Sequence, residues 1–158
     1  MDAIDCQIIA ELQRDGRLSN VELADRIGLT PAPCQRRVRR LESDGVILGY
    51  TAQINPAAIG RGFNVFVFVD LTHKDRATFE AFEAGVAALD EVIEVRRMFG
   101  LPDYIVRVAT ASLESFETFI STRLGDVPGV DKLDSHLTMK LIKSPDHYIA
   151  PPTAGQHA

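Results

Sequence analysis

Apolar positions follow one rhythm up to about residue 55 and another beyond it. Ile4, Ile8 and Leu12 recur every four residues, with Ile9 widening the stripe, which is one face of an amphipathic helix. Asp2 stands where an N-cap belongs, and Asp15-Gly16 ends the pattern. A second helix is expected from Ser19, with Glu22 at the spacing of a reciprocal capping box. Val21, Leu23, Ala24 and Ile27 would supply its apolar contacts, and Gly28 suits a left-handed C-terminal position. Thr30 as N-cap and Pro31 as first residue open a third helix that should run to about Asp44 and stop at Gly45. On a helical wheel Cys34, Val38 and Leu41 share a narrow arc, which makes them the buried stripe. Ala32, Arg36, Arg39 and Arg40 occupy the opposite arc, flanked by Gln35, with Arg37 nearer the boundary. Val46, Ile47 and Leu48, then Tyr50, Ala52 and Ile54, predict two short strands around Gly49, a wing and a connecting strand. Asn55-Pro56 is a turn signal.

From Gly62 the period falls to two. The run GFNVFVFVDLTH is a strand, and Phe66 and Phe68 make its second face apolar as well, so both faces need cover. A helix follows with Phe79, Phe82, Val86 and Leu89 on one side. The strands VIEVRRMF and YIVRVAT flank the loop GLPD. A second helix, with Leu113, Phe116, Phe119, Ile120 and Leu124 as its stripe, starts at Ser112. Ser115 stands where an acid or glutamine would complete a capping box, so a simpler cap is expected there. The turn VPGV leads into a long last strand, DKLDSHLTMKLIK. The order βαββαβ is that of a ferredoxin-like sandwich with helices on one sheet face, its first and third strands central and its second and fourth at the edges. The fold class is therefore α+β. Residues 1–55 form a winged helix-turn-helix, residues 56–150 a ferredoxin-like domain, and residues 151–158 a flexible tail.

Composition narrows the function. Hydrophobic residues make up 46% and charged residues 25%, which is ordinary for a globular chain. No apolar run is long enough to span a membrane, and the opening MDAIDCQ lacks the basic start of a signal peptide, so a cytoplasmic location is expected. In that compartment Cys6 and Cys34, without metal-ligand spacing, read as thiols. A net charge of −5 argues against nucleic acid until the basic residues are located: four of the seven before Pro56 are Arg36, Arg37, Arg39 and Arg40 of the third helix. Two helices joined by a short turn, the second carrying an arginine face beside the small Ala32, suit the major groove of double-stranded DNA. The candidate DNA-contacting residues are Ser19, Asn20, Thr30, Pro31, Ala32, Gln35, Arg36, Arg37, Arg39 and Arg40.

In the second domain the loop GLPDY joins two strands. It reads as a tight turn with a turn-forming aspartate, or as a ligand loop in which Gly100 allows backbone approach and Asp103 accepts hydrogen bonds from an ammonium group. Pro102 removes one N–H donor from it. His73, His136, His147 and His157 show no ligand spacing, and no nucleophile motif occurs, so neither an enzyme nor a cofactor is expected. His136 is either a plain strand residue or a lining of the ligand site. Phe66 and Phe68 leave one sheet face apolar, which implies self-association through this domain.

The stretch from IDCQIIAELQRDG through TPAPCQRRVRRLESDGVILGY, followed by FGLPDYIVRV and VPGVDKL, resembles the Lrp/AsnC (feast/famine) family over about residues 2 to 150. The resemblance implies a winged helix-turn-helix joined to a ferredoxin-like (RAM/ACT-like) effector domain. It implies homodimers that assemble further, often into octamers, and regulation of transcription by a small metabolite, most commonly an amino acid. It assigns effector contacts to the loop of Phe99, Gly100, Leu101, Pro102, Asp103 and Tyr104, at an interface between dimers. Leu137, Thr138 and Met139 of the last strand are expected near the ligand's side chain. Because the strand order keeps that edge strand from the loop, a pocket shared between subunits is expected. Family members carry a leucine and a glutamate where this chain has Gln35 and Arg36, and a threonine at Ala32, so no operator preference carries over. The rival reading is an amino-acid-sensing module that acts on a metabolic enzyme; it leaves the arginine helix without a role.

Overall fold

The computed structural model describes residues 1–143. The expected tail at 151–158, the preceding residues 144–150, and His147 and His157 lie outside the described residues. Two compact units divide the chain between Gln53 and Ile54.

The first unit holds α1 (Ala3–Arg14), α2 (Asn20–Arg26) and α3 (Pro31–Ser43). Asp2 caps α1 and receives the Asp5 N–H at 2.9 Å, while the Asp5 carboxylate receives the Asp2 N–H at 3.0 Å. Ser19 and Glu22 form the expected reciprocal box on α2, at 3.2 and 2.8 Å. Gly28 takes φ 69° at the end of α2, the left-handed position that an L side chain resists. Thr30 is the N-cap of α3 but makes no side-chain cap bond. The reason is in the sequence: the third helical residue is Pro33, so the N–H that a capping hydroxyl ordinarily takes does not exist. Ile8, Leu23, Ala24, Cys34, Val38 and Leu41 form the core, with Ile4, Ile9, Leu12 and Ile27 packed around it. Val21 does not join them and is exposed.

The wing differs from expectation. No strand forms among residues 46–54. The Val46 and Ile47 amides both donate to the Leu41 carbonyl, at 2.9 and 3.0 Å, which ties the segment to the end of α3. Beyond them Tyr50 donates to the Glu42 carboxylate at 3.0 Å, with Leu48 and Ile54 exposed. Two three-residue arms without a third strand do not make a stable hairpin.

The second unit contains β1 (Phe63–Leu71), α4 (Arg76–Ala87), β2 (Val92–Arg97), β3 (Tyr104–Thr110), α5 (Leu113–Phe119) and β4 (Val130–Leu137). A 3-10 turn at Pro56–Ile59 precedes β1, and a π-helical turn at Ile120–Leu124 extends α5. The sheet is antiparallel in the order β2-β3-β1-β4, the arrangement read from the sequence. Val65, Val67, Val69 and Leu71 of β1 face the helices and pack with Phe82, Val86, Val106, Val108, Phe116, Phe119 and Leu124. Leu113, expected in that stripe, is about half exposed.

Two further expectations are corrected. Ser112 and Ser115 do form a reciprocal capping box, at 2.9 and 3.2 Å, because a serine hydroxyl accepts a backbone N–H as a carboxylate does. The last strand stops at Leu137 rather than running to residue 143. β4 pairs only with β1, and β1 offers its final partners near its own start, where Leu137 faces Val65 and the Thr138 amide reaches the Asn64 carbonyl at 3.3 Å.

The uncovered sheet face is also less apolar than β1 alone suggested. Phe66 sits between Arg107 and His136 in register, and Phe68 between Ile105 and Asp134. An apolar strip of Phe66, Phe68 and Ile105 is thus bordered by Glu94, Arg96 and Arg107 on one side and Lys132, Asp134 and His136 on the other. The His136 ring lies 4.5 Å from that of Phe68.

Replacing Leu41 by alanine empties a site that is 1% exposed at the centre of the first unit. Urea unfolding should show a loss of about 2–5 kcal/mol, whereas Val21→Ala should change stability by less than about 0.5 kcal/mol.

Candidate functional site

Helix α3 follows α2 after a four-residue turn, residues 27–30. Its buried side is fixed by Cys34, Val38 and Leu41, so the remaining arc must face outward. Ser19, Asn20, Thr30, Pro31, Ala32, Gln35, Arg36, Arg39 and Arg40 are exposed, and Arg37 is half-buried. The four arginines are not equivalent. Arg37 reaches Asp2 at 2.7 Å and Asp5 at 2.8 Å, and Arg40 reaches the other oxygen of Asp5 at 2.7 Å. Asp5 is 1% exposed, so α1 holds two arginines of α3 through one buried carboxylate. The Asp2 carboxyl sits below its ordinary range, first because it accepts the Asp5 amide and second because Arg37 lies beside it. Arg36 and Arg39 form no ion pair among the described residues.

The β2–β3 loop forms the second site. The Met98 amide donates to the Asp103 carbonyl at 2.8 Å and closes the loop, the Leu101-Pro102 bond is cis, and Gly100 has φ 115°. No atom lies within 4 Å of a Cβ placed on Gly100, so the backbone conformation, not lack of space, requires glycine there. A pocket of about 390 Å³ opens beneath the loop, lined by Lys74, Phe79, Arg97, Met98, Phe99, Gly100, Leu101 and Asp103. Phe99, Gly100, Leu101 and Asp103 were legible candidates; Lys74, Phe79 and Arg97 were missed because they come from the β1–α4 connection, α4 and β2 and carry no local motif, and Met98 was missed although it adjoins Phe99 in the same loop.

Asp103 is not an open acceptor. It is 5% exposed; its Oδ2 receives the Leu71 amide at 2.8 Å, and the Lys74 ammonium sits against both oxygens. Burial pushes this carboxyl up, but the Leu71 amide and then Lys74 outweigh it and hold it below its ordinary value. Tyr104 is likewise turned inward, 1% exposed, with its ring 4.6 Å from that of Phe82 and its hydroxyl donating to Glu83 at 2.6 Å. Burial first, and Glu83 second, push the phenol up. The Arg97 guanidinium carbon lies over Phe79, 3.7 Å from the ring centroid, and a guanidinium nitrogen lies 3.8 Å from Glu83. Pro102 does not line the pocket.

Leu137, Thr138 and Met139 are exposed, and the sheet register puts them at the other end of β1. Leu137 faces Val65, whereas the loop leads into Tyr104, which faces Val69. Four residues of strand separate the two by about 13 Å at ~3.3 Å per residue. One chain does not bring the two halves of the expected site together.

The family model for the Lrp/AsnC ligand-binding domain matches residues 64–147. The chain belongs to the Lrp/AsnC family. A winged helix-turn-helix DNA-binding model matches residues 1–47. A leucine-responsive regulatory protein of Rhizobium meliloti is 41% identical over 143 residues, covering 90% of this chain and 92% of that one. One from Escherichia coli is 37% identical over 149 residues, covering 94% and 91%. A transcriptional regulator of Neisseria meningitidis, solved as its L-Met complex, superposes with TM-score 0.86 at 33% identity, covering 91% of this chain and 93% of its own. An AsnC family regulator of Agrobacterium tumefaciens gives TM-score 0.85 at 30% identity, covering 91% and 94%. This Lrp/AsnC chain is a DNA-binding transcription regulator with a ligand-binding domain, not an enzyme. The reading as a module for a metabolic enzyme is disfavoured, since the arginine helix lies within the matched DNA-binding domain.

The depressed Asp103 carboxyl sets a pH dependence. A carboxyl whose pKa is lower in the folded state stabilises the fold fully above its unfolded value, about 3.9, and loses that contribution as the pH falls through the lower folded value. Urea titrations between neutral pH and pH ~3 should show a smaller acid-induced loss in Asp103→Asn than in the wild type.

Proposed function

We propose that this regulator reads its operator through Arg36 and Arg39, and is controlled by an apolar amino acid bound under the β2–β3 loop. What carries the DNA part is the division among the arginines. Arg37 and Arg40 are engaged by the carboxylates of Asp2 and Asp5, so they brace α3 against α1 and retain only part of their donor capacity. Arg36 and Arg39 meet phosphates or guanine edges with whole guanidinium groups. Gln35, Ala32 and Thr30 lie on the same exposed surface, with Ser19 and Asn20 at the start of α2 as backbone-positioning contacts.

The effector pocket combines an apolar wall with two cations and one anion, a set suited to a small acid with an apolar side chain. The names of the relatives, leucine-responsive, and the L-Met complex of one of them support an amino acid. Leu137, Thr138 and Met139 join this pocket from a neighbouring protomer, because their own chain holds them at the far end of the sheet. Assembly starts from the uncovered sheet face, where Phe66, Phe68 and Ile105 meet a second copy, and dimers then assemble to an octamer. Binding at a shared pocket changes assembly and so DNA affinity, as a coupling free energy between the sites. The protein works in the cytoplasm, where its DNA is; no described helix is long and apolar enough to cross a membrane.

Two measurements check this. Gel-shift titrations over a range of salt should show that Arg36→Ala and Arg39→Ala each weaken operator binding by about 1–3 kcal/mol or lower the salt slope by about 1, without changing the urea midpoint. Arg37→Ala should instead lower the midpoint, because Asp5 loses a partner. In the same assay L-leucine or L-methionine should shift the operator affinity by about 5–150-fold, and Arg97→Leu should abolish the shift while leaving ligand-free DNA binding intact. Unchanged DNA affinity in the Arg36/Arg39 double variant would remove α3 as the reading helix.

A further inference from the structure

The pocket under the β2–β3 loop contains a cation that a site for a zwitterion has no need of. Lys74, on the β1–α4 connection, places its ammonium against both oxygens of Asp103, and the Leu71 amide takes one of those oxygens as well. We propose that Lys74 is the specificity-determining residue of this pocket: its ammonium fills the place beside Asp103 that a ligand's amino group would use, so the pocket recognises its ligand by carboxylate and apolar side chain and accepts monocarboxylates without an amino group. The proposal rests on reading this pocket as the effector site.

Acceptor capacity gives the first reason. Asp103 is 5% exposed, one of its oxygens is shared between an amide and an ammonium, and the other faces the same ammonium. A ligand ammonium would have to displace a cation tethered to the same chain, whose effective concentration is about millimolar or higher. The exchange replaces one ammonium–carboxylate contact by another and gains little.

Charge balance gives the second. Lys74 cancels Asp103 within the lining, and the one carboxylate paired with Arg97, Glu83, lies outside the lining at 3.8 Å. Arg97 donates no hydrogen bond among the described residues. Its face is taken by Phe79 at 3.7 Å, and the nearest carboxylate, Glu83 at 3.8 Å, already accepts the Tyr104 hydroxyl. A guanidinium that rests on an aromatic ring through its central carbon and makes no side-chain hydrogen bond keeps N–H donors for a carboxylate. Phe79, Met98, Phe99 and Leu101 supply the apolar wall for the remainder of the ligand.

The test uses the full chain and three probes that share one branched skeleton: L-leucine, isocaproate, which lacks the amino group, and isoamylamine, which lacks the carboxylate. In calorimetry the wild type should bind leucine and isocaproate within about threefold of each other and isoamylamine at least about tenfold more weakly. Isocaproate should also shift operator binding as leucine does. Lys74→Met frees Asp103, and the preference for leucine over isocaproate should rise by about tenfold or more; Lys74→Arg should restore the wild-type ratio. Lys74→Met costs stability, because Asp103 is 5% exposed and keeps only the Leu71 amide, so the ratio is read at a temperature where the urea midpoint shows the variant folded; Lys74→Arg keeps the cation and the fold. A wild type that already prefers leucine by about tenfold, or a ratio that Lys74→Met leaves unmoved, overturns the proposal. Phe79→Ala and Arg97→Leu separate it from the reading beneath it. If they abolish leucine binding while the Lys74 variants leave the ratio unmoved, only the role of Lys74 falls. If they bind leucine as the wild type does, or if the wild type binds none of the probes, both fall.

Discussion

A carboxylate taken out of water costs several kcal/mol unless cations and N–H groups surround it, and each functional element of this chain is held by that requirement. In the first unit the carboxylate is Asp5, which takes Arg37, Arg40 and the Asp2 amide. In the second it is Asp103, which takes Lys74 and the Leu71 amide. Both anions are recruited from one element to fix another. Asp5 sets the roll of α3 about its axis beyond what its apolar stripe does, and Asp103 sets the loop relative to the end of β1. Apolar packing alone would tolerate small slides of either element. A buried ion pair does not, because a slide strands the charge.

The same requirement explains why sequence reasoning found the main elements, the two wing strands excepted, and misjudged three of their residues. Periodicity located every helix, the four strands and the sheet order, since the alternation of Val65, Val67 and Val69 or the spacing of Cys34, Val38 and Leu41 is a property of neighbours along the chain. Capping at Asp2 and Ser19 was legible for the same reason. Asp103 was legible as a residue of the loop but not as a satisfied one, because its partners are 32 and 29 positions away. Arg40 looked like an equal of Arg36 and Arg39 on the helical wheel, and Arg37 stood only nearer the boundary. Only the arrival of the α1 N-terminus separates them. The strand ends failed similarly: nothing within DKLDSHLTMKLIK says that β1 has run out of partners at Val65.

β1 carries the second unit in both directions. Its inner valines anchor α4 and α5, and its outer phenylalanines make the one strip of the uncovered face that water does not suit. The border of that strip is patterned by sign across strands: Glu94 opposite Arg107 on one side, Asp134 and Lys132 on the other. Such a face is self-complementary only in particular rotations, since like charges opposed across a two-fold axis repel. Among the described residues, two buried polar atoms of this unit, the Asp70 Oδ1 and the Arg107 Nε, have no hydrogen-bond partner.

The opening turn of α3 has a thermodynamic consequence. Pro31 and Pro33 remove two of the four N–H groups that a helix start normally presents, and fix φ at both positions. The usual backbone cradle for an anion is thus thinned at this end, and charge recognition falls to side chains further along. In exchange the first turn has little conformational freedom to lose. A helix end that frays in solution must be frozen when it enters a groove, at a cost in entropy; this one arrives already frozen. With α3 as the proposed reading helix, binding becomes a docking of rigid surfaces, with a heat-capacity change set by the water expelled from the contact rather than by helix formation.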